Sequence, residues 1–369
     1  MKKTLEEIYG RVSKELTKSL INDKGIAQKI ESICRCNKNK APIRFLMSGL
    51  LSKISDPTIS LYKPYSALGE HSFTGRTNDE EFVQPFIHEH SLPCNSTTAY
   101  LTPAFRTIEK PLTKDFFNKC RPKEVYYDMM DVLDFVEQKP NQAYRVLEEI
   151  IRLLIIVKNE NRQRINQLLQ EVKDEESELS SEEITTLLIQ QLNCNGSSRL
   201  PVLIIAAAYQ AVQDLIKEQC KPLYAHNAAD SQTGALGDIE IVTEGDEHTV
   251  TCYEMKKKKV TTDDIAVCKN KIISSKEKID NYIIITTDSI DFDVINLAKT
   301  CYGEIGVEIV VLDCIGFINH FLHFFHRHRI KFLNKYQELL LSEPDSSVSQ
   351  PLKEAFLTLR RVAETDKNS

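Results

Sequence analysis

The sequence predicts an α/β protein, a mixed sheet flanked by helices that follows a mostly helical, loop-rich N-terminal region. Three observations lead there. Apolar residues recur at helical spacing over residues 1–60 and 126–170. From residue 237 onward, a hairpin-like segment and two short apolar runs alternate with amphipathic segments, the rhythm of strands separated by helices. Between these regions lies EVKDEESELSSEE (171–183), whose seven acids and one lysine read as a solvated linker or helix face. That run sets a boundary, with residues 1–183 as the helical region and 184–369 as the α/β core.

The elements follow in order. Leu5, Ile8, Tyr9, Val12 and Leu16, then Ile21, Ile26, Ile30 and Ile33, mark helical faces. From about 61 to 125 the pattern breaks into Pro-, Ser-, Asn- and Gly-punctuated chain, and loops on a scaffold are where recognition residues tend to lie. VLDFVEQ and AYRVLEEIIRLLIIVK restore the helix. RLPVLIIAAAYQAVQDLIKEQC (199–220) reads as one helix with Pro201 in its first turn. GDIEIVTEGDEHTVTCYEMK (237–256) reads as two strands joined at Glu244-Gly245-Asp246. TTDDIAVCKNKIISSKEKI is an amphipathic helix capped by Thr or Asp. NYIIITT (281–287) and VEIVVLD (307–313) are continuous apolar runs, as in strands buried on both faces. SIDFDVINLAKTCY is a helix, and CIGFINHFLHFFHRHRIKFLNKYQELLL a single long one.

Composition narrows the function. The chain of 369 residues has 47 Lys plus Arg against 53 Asp plus Glu, a net charge of −6, and 41% hydrophobic residues. That is the make-up of a globular protein and excludes one that coats nucleic acid by bulk charge. The total hides an asymmetry: Met1 to Val125 carries 20 basic and 14 acidic residues, the remainder 27 and 39. The N-terminus lacks the apolar segment of a secretory signal, and no stretch approaches ~18 uninterrupted apolar residues, so no membrane span is expected. Ten scattered cysteines without a C-x-x-C pair fit reduced thiols in a cytoplasmic protein rather than a zinc site. Neither G-x-x-x-x-G-K-[ST] nor G-x-G-x-x-G occurs, so no nucleotide cofactor is expected.

The hairpin carries the chemistry. Asp238 opens its first strand; Glu254 and Lys256, two residues apart, share one face of its second. The turn brings Asp238 back beside them. Two carboxylates with a lysine form a hard-oxygen site for Mg²⁺ at which a phosphodiester could be hydrolysed. The same three groups could also form ordinary surface pairs. Lysines 256–259, four like charges in a row, ask for a polyanion or neighbouring acids.

Asp238 and Glu254-Met255-Lys256 resemble the PD-(D/E)xK nuclease superfamily, with Gly237 where that pattern has Pro. SFTGRTNDEEFVQPFI (72–87), LTPAFR (101–106), RLPVLIIAAAYQAV, GDIEIV and CYEMKKKKV further resemble restriction endonucleases of the SacI family. The resemblance implies a restriction-endonuclease-like core in residues 184–369 and recognition loops around 61–125. It implies a type II enzyme of a restriction-modification system, Mg²⁺-dependent and leaving 5′-phosphate ends, that cuts a short palindrome in double-stranded DNA. It also implies a cognate DNA methyltransferase as functional partner. A palindrome cut on both strands makes a homodimer the economical assembly. Asp238 and Glu254 would ligate the metal and Lys256 would be the catalytic lysine. Lys258 competes, because in the family the strand can read E-x-R-x-K. Two rivals stand beside this reading: a repair or junction-resolving nuclease of the same fold, and a non-catalytic DNA-binding or regulatory protein.

For DNA contacts, Arg76 and Arg106 are candidates, since guanidinium forks match guanine edges and phosphates. The bland alternative for Arg76 is a local pair with Asp79 or Glu80. Asn78 and Asn95 could read adenine or serve as turn residues. Lys257 and Lys259 are expected near phosphate. His320, His323, His326 and His328 are interleaved with Phe and Leu and read as the margin of a packed helix. His88-Glu89-His90 has alternate metal ligands with no third partner nearby in sequence.

Overall fold

Apolar spacing builds the first helices where it predicts them. The computed structural model of the protein describes residues 1–95, 97–173, 179–223, 235–245, 248–275 and 278–365. It forms two compact units, Met1–Arg164 and Ile165–Ser369. The division falls ahead of residue 183, because a long helix carries the chain through it; of the acidic run, 174–178 lie outside the described residues.

In the first unit, α1 (Lys2–Val12) buries Leu5, Ile8 and Val12, and α2 (Lys24–Arg35) buries Ile30, Ile33 and Cys34. Asp23 caps α2 by accepting from the Gly25 and Ile26 N–H groups. The third helix, α3 (Ala41–Ser55), is buried on every side from Ala41 to Lys53. A helix so placed must find a partner for each polar side chain it carries. Ser48 meets the Tyr100 hydroxyl at 2.7 Å, and Lys53 the Glu137 carboxylate at 2.9 Å. The loop-rich stretch holds α4 (Gly75–Asn78), a π-helical turn (Asp79–Val83) and α5 (Gln84–Glu89). Then come α6 (Lys123–Gln138) and α7 (Ala143–Lys173).

The second unit starts with α8 (Ser181–Leu192), where Ser180 and Glu183 cap each other's backbone N–H. Next is α9 (Leu200–Ile216), with Pro201 in its first turn. Ser197–Ile216 is long and apolar enough, at a mean hydropathy of 1.3, to cross a membrane. Here that apolar surface is spent on the core, since Leu200 to Ala208, Ala211 and Val212 are all buried.

A five-stranded mixed sheet follows, in the order β1 (Glu218–Cys220), β2 (Ile239–Thr243), β3 (Thr249–Lys256), β4 (Asn281–Thr286), β5 (Glu308–Asp313). The first three strands are antiparallel, and β3, β4 and β5 are parallel. The parallel connections are α10 (Thr262–Ser274) and α11 (Phe292–Ile305). Thr261 and Asp264 form the capping box that starts α10. After β5 come α12 (Cys314–Phe324), α13 (Arg329–Ser342) and α14 (Gln350–Thr365). Strand alternation splits the sheet into two faces. Ile239, Ile241, Tyr253, Ile283 and Ile285 pack with residues of α8, α9, α12, α13 and α14. Cys252, Tyr282 and Ile284 pack with α10 and α11. The result is a helix–sheet–helix sandwich.

Three elements differ from the sequence reading. The segment 199–220 is not one helix: Lys217 adopts φ +60 and ends it, and residues 218–220 pair with β2 instead. The strand β5 buries only Ile309 and Val311, because it lies at the edge of the sheet. The long helix after it breaks at Phe325, whose backbone (φ −107, ψ 41) leaves the helical region. At the hairpin, Gly245 has φ +85 and serves the turn, while Asp246 lies outside the described residues.

Candidate active site on the sheet

The register of the hairpin assembles the proposed residues. Ile239 pairs with Tyr253 and Glu240 with Cys252, so continuing the antiparallel register sets Asp238 opposite Glu254. Alternation then places Asp238, Glu254 and Lys256 on the face covered by α10 and α11. The Asp238 carboxylate accepts the Met255 N–H at 2.7 Å, which locks the start of β2 against β3. Gly237 explains why this turn needs glycine: a Cβ there would lie 2.5 Å from the Tyr253 carbonyl oxygen. All three side chains are part-buried, reachable by solvent yet flanked by protein.

Around them the polar groups are ordered. Lys256 Nζ lies 3.1 Å from Glu254 Oε1 and 3.9 Å from Asp264 Oδ1. Burial pulls the Lys256 ammonium down, but Glu254, with Asp264 behind it, more than offsets this and leaves it above the ordinary lysine value. The buried Tyr282 hydroxyl lies 2.9 Å from the Leu236 carbonyl and 3.3 Å from Glu254 Oε2, joining the strand to the turn before Asp238. Glu240, two residues after Asp238 and nearly fully buried, accepts the Leu236 N–H at 3.0 Å and pairs with Lys221 at 3.1 Å. Tyr282, Glu240 and Asp264 thus surround the candidate residues, and sequence reasoning missed them. Two left a signal: Glu240 stands at alternate spacing from Asp238, and Asp264 closes a T-x-x-D capping pattern.

The lysine run divides. β3 ends at Lys256, so strand alternation no longer governs Lys258, which is exposed beyond it. Lys257 Nζ bonds Ser197 Oγ at 2.9 Å, and Lys259 pairs with Asp291 at 2.8 Å. These adjacent groups ease the crowding of like charge.

The N-terminal candidates are not brought together as a surface reader. Arg76 pairs with Glu80 at 2.9 Å, one helical turn on. Asn78 is buried and donates to Ser52 Oγ at 2.6 Å. Asn95 uses its carbonyl to accept from Arg44 at 2.8 Å. Arg106 remains exposed. The histidines 320, 323, 326 and 328 lie outside the core, beside the buried Phe321 and Leu322. His90 does acquire a distant partner, a correction to the sequence reading. Glu6 of α1 meets His90 Nε2 at 2.9 Å, and one ligand atom each of Glu6, Glu89 and His90 lies within 4.8 Å of the others. His90 is stacked on Tyr9 at 3.7 Å, and its bond to Glu6 accounts for the approach without an ion.

The chemistry open to the hairpin is that of two hard carboxylates and a protonated lysine on one accessible face. No protein-family model matches this chain, and no curated protein matches it in sequence.

Proposed function

We propose that this protein is a Mg²⁺-dependent endonuclease of the PD-(D/E)xK type that hydrolyses double-stranded DNA at a short palindromic site. The carrying observation is the register that sets Asp238 opposite Glu254, with Lys256 beside Glu254 on the same half-accessible face. The donor set fits the ion: Mg²⁺ takes carboxylate oxygen and keeps several waters, and Asp238 and Glu254 offer two part-buried carboxylates on paired strands. When bound, the ion would polarise the scissile phosphate and lower the pKa of a coordinated water.

The chain's own residues do the rest. Tyr282 and the Met255 N–H fix the two carboxylates against each other. Lys256, 3.1 Å from Glu254, has an Nζ that can orient the attacking water or donate to a phosphoryl oxygen. A homodimer would supply the second site for the opposite strand, and a companion methyltransferase would protect host DNA in the cytoplasm.

Incubation with plasmid DNA and Mg²⁺ tests the reading. Discrete fragments are expected, lost by ~10³-fold or more in Asp238→Asn and Glu254→Gln, in line with removal of a group acting in the transition state. A smear would sink site-specific cutting, and retained activity in either variant would sink the assignment. Lys256→Met should abolish cutting and Lys258→Met should spare it; the reverse result would transfer the catalytic role to Lys258.

A further inference from the structure

The cations of the first unit fall into two groups. Arg35, Lys53 and Arg76 each meet a carboxylate within 3.0 Å. Lys38, Arg121 and Lys123 meet none among the described residues, although they line one open cavity of about 680 Å³ whose only acid is Glu124. The cleft is held in shape. Asn39, next to Lys38, donates from Nδ2 to the Arg121 carbonyl at 3.3 Å and to the Tyr126 hydroxyl at 2.8 Å, tying the two segments together. Arg121, an exposed residue, donates from Nη1 to the carbonyls of Cys120 (2.9 Å) and Asn118 (3.2 Å), which anchors one end of the guanidinium. Lys123 Nζ rests over the Tyr127 ring, 4.8 Å from its centroid.

Three cations gathered around one cavity repel one another unless an anion offsets them. The cavity is far too large for a single ion and is open, so it suits a chain of charges passing through. We infer that this cleft binds successive backbone phosphates of double-stranded DNA. The guanidinium and ammonium groups, from the loop at Lys38 and from the start of α6 at Arg121 and Lys123, can each take a different phosphate oxygen, and such contacts position a duplex without reading its sequence. The inference stands whether or not the Asp238–Lys256 hairpin cuts DNA.

Anisotropy of a labelled duplex with the full-length protein, over a salt series without Mg²⁺, tests it. Lys38→Ala/Arg121→Ala/Lys123→Ala should weaken binding ~10- to 100-fold near 0.1 M salt. It should also flatten the slope of log K against log salt by about 2 to 3, one unit per lost phosphate. Lys14→Ala/Lys18→Ala/Lys24→Ala, equal in charge and exposed elsewhere, should change affinity by less than about 3-fold. Equal weakening by both sets would assign binding to bulk charge, and no weakening by the first would dismiss the cleft. Lys38→Ala alone, in an exposed loop, should give about one unit of slope and guards against misfolding of the triple variant. Stoichiometric capture of inorganic phosphate that displaces the duplex would make this a single-phosphate site and overturn the proposal. Failure here is separable from failure of the nuclease reading. Cleavage with an unaffected triple variant rejects only the cleft; cleft-dependent binding without cleavage rejects only the nuclease.

Discussion

Each unit holds an acid beside a base, and the two pairs serve opposite ends. In the first, Arg44 and Asp79 are both 0% exposed and joined at two points, Nε to Oδ1 at 3.0 Å and Nη2 to Oδ2 at 2.7 Å. The remaining reach of the guanidinium is taken by the Asn95 carbonyl at 2.8 Å and Gln84 at 3.1 Å. In the second, Glu254 and Lys256 are 21% and 26% exposed, and the ammonium lies 3.1 Å from Glu254 and 3.9 Å from Asp264. Full burial with the guanidinium donors consumed describes a structural clasp. Partial exposure with capacity left over describes a site that can take up water or a ligand.

Burial holds the Asp79 carboxyl above its ordinary value even with Arg44 against it. The clasp is therefore no great source of net stability, yet removing half of it should have the largest effect of any change considered. Asp79→Ala leaves a buried guanidinium without its counter-charge and should destabilise the first unit by about 3–5 kcal/mol in denaturant unfolding. A loss below about 1 kcal/mol would show that water reaches Arg44 and the clasp is open. Gly237→Ala comes next. Its Cβ meets the Tyr253 carbonyl, so the turn must shift, at about 1–3 kcal/mol, and Asp238 with it. The expected signature is a loss of cleavage larger than the loss of stability; wild-type cleavage would mean Asp238 tolerates displacement.

The smallest effect sharpens the comparison through pH. Burial raises the Asp264 carboxyl, but bonds from the Thr261 N–H and hydroxyl, with Lys256 and Lys258 nearby, hold it net below its ordinary value of 3.8. Its contribution is therefore fully present above pH 3.8 and lost as pH falls through the lower folded value. Asp264→Asn should cost about 1 kcal/mol at neutral pH, the usual scale for a helix cap. The gap from wild type should close in acid. A gap independent of pH would assign the cost to packing instead of the carboxylate.

The hairpin was legible because its signals are local. Alternation set Glu254 and Lys256 on one face, Gly245 marked the turn, and T-x-x-D marked the helix that covers them. The breaks were less legible. Nothing in QDLIKEQC announces that Lys217 turns left-handed, because the reason is a pairing of Glu218 with Thr243 far along the chain. Asn78 reads as a loop residue in sequence, and only packing against α3 shows its amide committed to Ser52.

By itself the sequence determined the α/β class, the order of strands and helices from 237 to 313, and the choice of the three candidate residues, because period, caps and turns act over a few residues. Tertiary structure decided which charges are spent and which remain available. Arg44 is neutralised by a residue 35 positions away, Arg76 by its own helix, while Lys38 and Arg121 converge from separate loops on one cavity without an ion-pair partner of their own among the described residues. Charge pairing acts through space over a few ångströms, so the partner of a given cation is fixed by the fold and not by its neighbours in the chain.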